Sequence, residues 1–434
     1  MNVRKLALEL ITKTEKAGQY SNIAIDNAIK KNCLDAKDSS LLCVLVYGVI
    51  ERKLTLDYII NSLSSLPPSK IEAGIRNILR MGLYQLIYLD KIPPHAAINE
   101  SVELCGARSR GFANAILRNY QRRSGEIKFP DKESAPVDYL SVTYSFPTAL
   151  CEKFIDIFGF DKAEKIFCAF GNEPETTLRV NTLKNSRDEF IKMLADKGIE
   201  ALPSLLSPFG VKVSGAPISE LGIDAGLCFV QDEASQLSTL ALDAKEGDRV
   251  LDVCSCPGSK SFGAAIEMKN KGEIRSFDLH ENKLSLVKSG AERLGITILS
   301  TDARDGRAFD ESLENYTDRI ICDVPCSGFG VMAKKPEIRY KDPAESAGLP
   351  DIQYAILCNS ARYLKAGGVL IYSTCTLFPE ENELNVKRFL DSHKNFEPCD
   401  FTAGNLSSDG GMLTLNPHDH KTDGFFIAKL RKVN

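Results

Sequence analysis

The sequence predicts an α/β protein in three parts: an all-α domain first, a small α+β unit, then an open, mostly parallel sheet with helices on both faces. Three observations predict it. Up to Arg123, apolar residues recur at helical spacing, with proline pairs between the stretches. From Arg249 onward, short apolar strands alternate with helical stretches. The charge divides along the same line: residues 1–123 hold 18 Lys and Arg against 11 Asp and Glu, a net of +7, and the remainder holds 36 against 47, a net of −11. The overall −4 hides a front third suited to a polyanion. At 434 residues the chain exceeds one ordinary core.

The all-α domain is expected over 1–125. Ile75, Ile78, Leu79, Leu83 and Leu86 share one helical face, and Leu66-Pro67-Pro68 and Ile92-Pro93-Pro94 mark turns. Its end carries Arg108, Arg110, Arg118, Arg122 and Arg123 with Asn114 and Asn119 between them. Arg118 and Arg122 lie four apart on a helix and suit phosphate contact, although solvated helix ends are the competing reading. Gly125, Pro130 and Pro136 make 124–140 a linker. The small α+β unit spans 141–240: a helix near Pro147–Ala169, a strand Thr177–Asn181, a helix near Arg187–Lys197, and strands near 211–213 and 228–230. Over 241–434, strands are expected at 250–253, 273–277, 297–299, 319–322 and 369–372, with helices from about Ser261, over Glu281–Leu294 and over Ile352–Leu364.

No run of about 18 uncharged apolar residues predicts a membrane helix. Arg4, Lys5 and Glu9 interrupt the start where a signal peptide would be apolar. Thirteen unevenly spaced Cys read as reduced thiols, so a cytoplasmic protein is expected. Beyond His418-Asp419-His420 the five His show no ligand spacing, so no metal site is expected.

Ligands of open α/β sheets bind outside the carboxyl ends of the strands. The first strand ends at Asp252, followed by Cys254-Ser255-Cys256-Pro257-Gly258-Ser259-Lys260 and a helix. A tight turn into a helix N-terminus gathers backbone N–H groups, and Lys260 offers a charge for a carboxylate. One glycine there is neither a dinucleotide fingerprint nor a P-loop. Asp278 ends the second strand, 26 residues after Asp252, where a ribose is usually held; Asp302 follows the third, with Asp305 its competitor for an adenine edge. Three acids at successive strand tips favour an adenosine-containing ligand. Cys326 and Cys375 follow the next two strands. Inert core thiols and a nucleophilic pair are the two readings left open.

Asp323-Val324-Pro325-Cys326-Ser327 and Ser373-Thr374-Cys375-Thr376 resemble the Pro-Cys and Thr-Cys motifs of Sun-family RNA cytosine-C5 methyltransferases. Pro379-Glu380-Glu381-Asn382, Gln231-Asp232 and Asp423-Gly424-Phe425-Phe426 are similar to further motifs of that family. Pro94-His95-Ala96-Ala97-Ile98-Asn99-Glu100 and Phe112–Arg118 resemble a NusB-type RNA-binding domain. The resemblance spans most of the chain.

It implies a Rossmann-like domain that binds S-adenosyl-L-methionine, behind a NusB-like RNA-binding domain. By the same resemblance, Cys375 adds to carbon 6 of the base and Cys326 assists release. Cys254, Ser255, Cys256, Pro257, Gly258, Ser259 and Lys260 form the cofactor loop, Asp278 holds the ribose, Asp302 the adenine side, and Asp323 lies beside the methionine end. Ser259 replaces the family's usual glycine, and Lys283 stands where Arg is frequent. The implied substrate is 16S ribosomal RNA or an assembly intermediate of the small subunit, with the chain a monomer. Arg179-Val180-Asn181 and its surroundings are expected against flanking RNA, and Tyr144, Phe146 and Phe209 are candidate stacking residues with core placement as the alternative. The competing functions are the same chemistry on transfer RNA, and an RNA-binding assembly or transcription factor with a vestigial methyltransferase fold.

Overall fold

The computed structural model describes residues 2–17 and 21–433 in two compact units. The first takes the chain to Asn172 together with Met332–Pro343. It contains helices α1 (Val3–Ala17), α2 (Ser21–Asn32), α3 (Ala36–Glu51), α4 (Lys53–Leu63), α5 (Ala73–Tyr88), α6 (Pro94–Glu103), α7 (Arg110–Arg123), α8 (Pro136–Tyr144), α9 (Thr148–Phe158) and α10 (Phe160–Phe170). Side chains of α1, α2 and α3 make one core, and those of α4 to α7 make another. Between them, buried Arg80 pairs with Asp57 at 2.5 Å and Glu15 at 2.7 Å. Desolvation alone would raise the Glu15 carboxyl, but Arg80, Asn77 and Lys53 outweigh it and hold it below its ordinary value.

Two expectations change in this unit. The helix expected over 147–169 is two helices, because Gly159 takes a positive φ of 75° between them. The expected linker is partly helical: Pro136 opens α8, a position where its missing N–H costs nothing. Met332–Pro343 is anchored here by Arg339, which is fully buried, lies 4.5 Å over the Phe146 ring, and donates to the carbonyls of Glu51, Phe170 and Met332.

The second unit, Glu173–Val331 with Ala344–Asn434, holds two main sheets. The smaller is antiparallel: β1 (Thr176–Val180), β2 (Ala201–Pro203), β3 (Gly210–Val213) and β4 (Cys228–Val230), in the order β2-β3-β1-β4. Helix α11 (Arg187–Asp196) packs on it, started by a Ser186–Glu189 capping box.

The larger sheet contains β5 (Arg249–Asp252), β6 (Glu273–Asp278), β7 (Leu299–Ala303), β8 (Thr317–Asp323), β9 (Leu364–Thr374) and β10 (Phe396–Pro398). After the small ribbon β11 (Thr402–Ala403) and β12 (Leu406–Ser407), β13 (Met412–Leu415) and β14 (Phe425–Lys432) complete it. The order is β10-β14-β9-β8-β5-β6-β7, with β13 on β14; β5 to β9 are parallel, and β14 runs against β9. Alternation along the strands divides the core. Val250, Ile274, Ile321 and Ile371 face one cluster; Leu251, Ile320, Leu370 and Tyr372 face the other. Burying each Val, Leu or Ile in this way stabilises by about 1.5–3 kcal/mol.

Helices α12 (Glu233–Leu242), α13 (Ser259–Glu267) and α14 (Glu281–Leu294) pack on the first face, and α15 (Leu349–Tyr363) and α16 (Glu383–Ser392) on the second; α17 (Pro417–His420) is one short turn. From β5 the chain winds out through β6 to β7, then returns beside β5 as β8, so the strand order reverses at β5/β8. A crevice at such a reversal is where these sheets bind ligands. The strand expected at 297–299 lies at Leu299–Ala303, because the Asn270 amide accepts the Thr297 backbone N–H and donates to its hydroxyl in the turn after α14. Asp302 therefore belongs to the strand rather than to the loop after it. Among the described residues no helix is long and apolar enough to cross a membrane.

Candidate functional site

At the tip of β5, Asp252 is buried, and one carboxylate oxygen accepts the Ser261 hydroxyl at 2.6 Å. The other oxygen has no hydrogen-bond partner among the described residues. Desolvation first, and then the Asp323 charge, push this carboxyl up to about 7. The following loop folds back onto β6: Ser255 donates its N–H to the Phe277 carbonyl at 2.8 Å, and Cys256 its N–H to Asp278 Oδ2 at 3.3 Å. Gly258 takes φ 109°, and a Cβ there would lie 2.5 Å from the Phe262 ring. Ser259 opens α13 without a left-handed backbone, so the residue that replaces the family's glycine carries no such strain. Pro257 is exposed, and Cys254 and Cys256 are partly buried. Desolvation holds the Cys254 thiol well above its ordinary value and pushes Cys256 up to about 12. Both are neutral lining at physiological pH.

Lys260 does not stand free for a carboxylate as the sequence suggested. Its ammonium pairs with Asp323 Oδ2 at 2.7 Å and lies 5.2 Å over the Phe425 ring. Asp323 is held from its other side by the Ser373 hydroxyl at 2.6 Å, its register partner on β9. Asp278, at the end of β6, accepts a second backbone N–H from His280 at 3.0 Å. Asp302 lies near the end of β7, paired with Arg304 at 2.8 Å and with its side chain 55% exposed. Asp305 pairs instead with Arg307 at 2.7 Å, whose bonds lower its carboxyl.

The thiols meet. Val324 donates its N–H to the Ser373 carbonyl, and beyond these strand ends Cys326 Sγ lies 3.1 Å from Cys375 Sγ. The Cys375 backbone N–H also points at Cys326 Sγ, at 3.2 Å. The Cys326 thiol is raised well above its usual value, first by its hydrogen bond to Cys375 and then by burial.

The backbone around the pair is closely layered. Gly330 donates to the Cys375 carbonyl at 2.9 Å, and Gly424 donates to the Gly330 carbonyl at 2.8 Å. A Cβ on Gly330 would lie 1.9 Å from the Gly424 oxygen, so only glycine fits. Asp232 caps α12 through the Ala234 N–H and also accepts the Thr422 hydroxyl at 3.0 Å. The sequence motifs Gln231-Asp232, Asp323–Ser327, Ser373–Thr376 and Asp423-Gly424 thus converge.

The expectation for Arg179-Val180-Asn181 is corrected. Arg179 is wholly buried, donates to Thr239 and the Gly263 carbonyl, and pairs with Glu267 at 2.6 Å. Asn181 spends its amide on the Gly226 and Leu294 carbonyls. Both faces of β1 are buried, Leu178 and Val180 against one core and Arg179 against α12 and α13 on the other. Phe146 is core, stacked 4.3 Å from Phe167, and Phe209 lies beneath Arg179. Sequence reasoning assigned no role to Glu381 or Gln353. The signal lay in the Glu-Glu-Asn that follows a strand tip.

These residues fit S-adenosylmethionine. Asp278 keeps acceptor capacity beyond its two N–H bonds, the α13 N-terminus gathers N–H groups, and the Asp252 oxygen without a partner is a further acceptor at β5. Residues 239–431 match the family model for the 16S rRNA methyltransferase RsmB/F, residues 1–122 that of the NusB family, and residues 146–218 the ferredoxin-like domain of RsmF/B-like methyltransferases. The solved structure of PH0851 is similar over 100% of this chain and 99% of that one, with a TM-score of 0.81 and 28% identity. NSun6 from Pyrococcus horikoshii, solved with SFG, matches 67% of this chain and 99% of its own at a TM-score of 0.59 and 25% identity. Fold and matches together define an S-adenosylmethionine-dependent methyltransferase with a NusB-like N-terminal domain. Among curated proteins, the probable ribosomal RNA small subunit methyltransferase B of Bacillus subtilis (strain 168) is 40% identical over 99% of both chains, and that of Yersinia enterocolitica 33% over 99% of both. The chain belongs to the ribosomal RNA small subunit methyltransferase B family.

Proposed function

We propose that this enzyme methylates carbon 5 of a cytosine in 16S ribosomal RNA, with Cys375 as nucleophile and Cys326 as the group that assists release. The observation that carries the proposal is the 3.1 Å contact between the two sulfurs at adjacent strand tips. The named relatives are small-subunit RNA methyltransferases, which favours ribosomal over transfer RNA.

Carbon 5 of cytosine is a poor nucleophile. Addition of the Cys375 thiolate to carbon 6 pushes the ring electrons onto carbon 5. S-adenosylmethionine, when bound, supplies the methyl group; the Cys254–Lys260 loop, Asp278, Asp302 and Asp323 are the residues that would hold it. Asp323, fixed between Lys260 and Ser373, would also orient the base. Once carbon 5 carries its methyl group, its proton must leave. A base takes it, the 5,6 double bond re-forms, and the bond from carbon 6 to the Cys375 sulfur breaks. Cys326 suits this step for a definite reason. The first of the effects that raise its thiol comes from Cys375 and is lost while the Cys375 sulfur is bonded to carbon, leaving burial and the Glu381 charge. Cys326 then ionises more readily, at the stage where a base is needed. The base must leave its stack to reach the sheet edge, and Arg118 and Arg122 of α7 are proposed phosphate contacts in the flanking RNA.

Incubating the full chain with 16S RNA and methyl-labelled S-adenosylmethionine should place label in 5-methylcytosine. Absence of label from any RNA would leave the vestigial-fold reading standing. Cys326→Ala should accumulate a protein–RNA adduct that survives denaturing electrophoresis, and Cys375→Ala should form none.

A further inference from the structure

We propose that Glu381 is the positioning residue of the thiol pair: its buried carboxylate ties the turn after Cys326 to the turn after Cys375 and so holds the two sulfurs in contact. The proposal rests on the reading that these two thiols act together. Glu381 is 2% exposed, and no cation pairs with it among the described residues. Its oxygens instead accept the Ser327 backbone N–H at 2.9 Å, the Ser327 hydroxyl at 2.5 Å and the Gln353 amide at 2.8 Å. Ser327 follows Cys326 directly, and its hydroxyl lies 2.8 Å from that of Thr376, which follows Cys375 directly. Gln353 closes the ring by donating to the Pro325 carbonyl at 3.0 Å, one residue before Cys326. The Glu381 carbonyl is itself fixed by the Tyr372 hydroxyl of β9 at 2.6 Å. Both neighbours of Cys326 are thus bound to one network, and that network touches the residue beside Cys375.

A carboxylate buried without a cation is costly, and three donors offset that cost. A neutral amide here would present N–H groups to donors, so glutamine is a poor replacement despite its shape. The charge has a second effect. Glu381 adds to the forces that keep the Cys326 thiol protonated, after Cys375 itself and burial. The other titratable groups around this network include the Tyr372 hydroxyl and the Cys322 thiol, both raised by burial, and Asp323, which pairs with Lys260.

The test uses diamide on the full chain. Its N=N bond takes two protons and two electrons as Cys326 and Cys375 become a disulfide, and peptide mass spectrometry counts the 326–375 link against the other thiols. In the wild type the link should form readily. Glu381→Gln should slow it about tenfold or more, because proximity sets such rates. Ser327→Ala removes only a hydroxyl and should slow it less, which keeps the proposal open to refutation if Glu381→Gln folds poorly. In a Cys375→Ser background, Glu381→Gln should also lower the pH midpoint for alkylation of Cys326 by about one unit, the sign expected when a nearby negative charge is lost. If the wild type forms no 326–375 link, the paired-thiol reading itself falls. If it links readily and neither Glu381→Gln nor Ser327→Ala slows it, the positioning role is overturned while the paired-thiol reading stands.

Discussion

The two sides of the β5/β8 reversal solve different problems with the same architecture. On the β8/β9 side, side chains at the strand tips are tied to one another: Asp323 to Lys260 and Ser373, Cys326 to Cys375, Ser327 to Glu381. On the β5–β7 side the acids grade outward, from Asp252 at 1% exposure, through half-buried Asp278, to Asp302 with its side chain 55% exposed. A group that must change bonding needs its charge set by fixed neighbours in a dry place. A group that must accept an incoming ligand needs spare hydrogen-bonding capacity. One sheet supplies both, because its centre is covered and its edge is not.

The largest effect should come from the thiol side. Cys375→Ala should reduce methyl transfer by about 10⁴-fold or more, while calorimetric affinity for S-adenosylmethionine stays at the wild-type value. A parallel loss of affinity would mean that the two sides are not separable. Next is the bolt beneath α13. Arg179→Ala leaves Glu267 buried without its cation and should cost about 3–5 kcal/mol in urea unfolding. A change below about 1 kcal/mol would mark that pair as dispensable.

Within the acid side, the gradient itself can be tested. Asp278→Ala should weaken S-adenosylmethionine binding by tens-fold to about a hundredfold, through lost hydrogen bonds to a charged acceptor. Asp302→Ala, already occupied by Arg304 and open to water, should weaken it only a few-fold. Equal losses would remove the distinction between them.

A further effect depends on pH. Asp252 has a folded value of about 7, above the unfolded carboxyl near 3.9. The folded state therefore binds this proton more tightly; the stabilisation is complete below about pH 4 and is lost as pH rises through about 7. Asp252→Asn should be more stable than the wild type by up to about 4 kcal/mol at pH 8, with the gap closing at pH 4. A pH-independent gap would place the effect in packing instead.

Much of this was legible in the sequence, for local reasons. The βα alternation from Arg249 marked the sheet, and α14 begins and ends where the apolar spacing placed it, at Glu281 and Leu294. Asp252, Asp278 and Asp302 come at or near strand ends because a strand's length is written in its own apolar run. Arg179 was misread because a polar residue in a short strand looks alike in sequence whether it faces water or a buried carboxylate. The break at Gly159 and the shift of β7 were missed because each turns on one residue's partner or backbone angle rather than on a pattern.

The sequence alone determined the order of elements, the reactive groups at the strand tips and, by resemblance, the family, since these depend on neighbours in the chain. Only the tertiary structure decided who holds whom. Lys260 reaches Asp323 across 63 residues, Ser327 reaches Glu381 across 54, and Arg339 reaches the Glu51 carbonyl across 288. A side chain's charge is set by its nearest groups in space. Folding chooses those groups, and no local spacing records them.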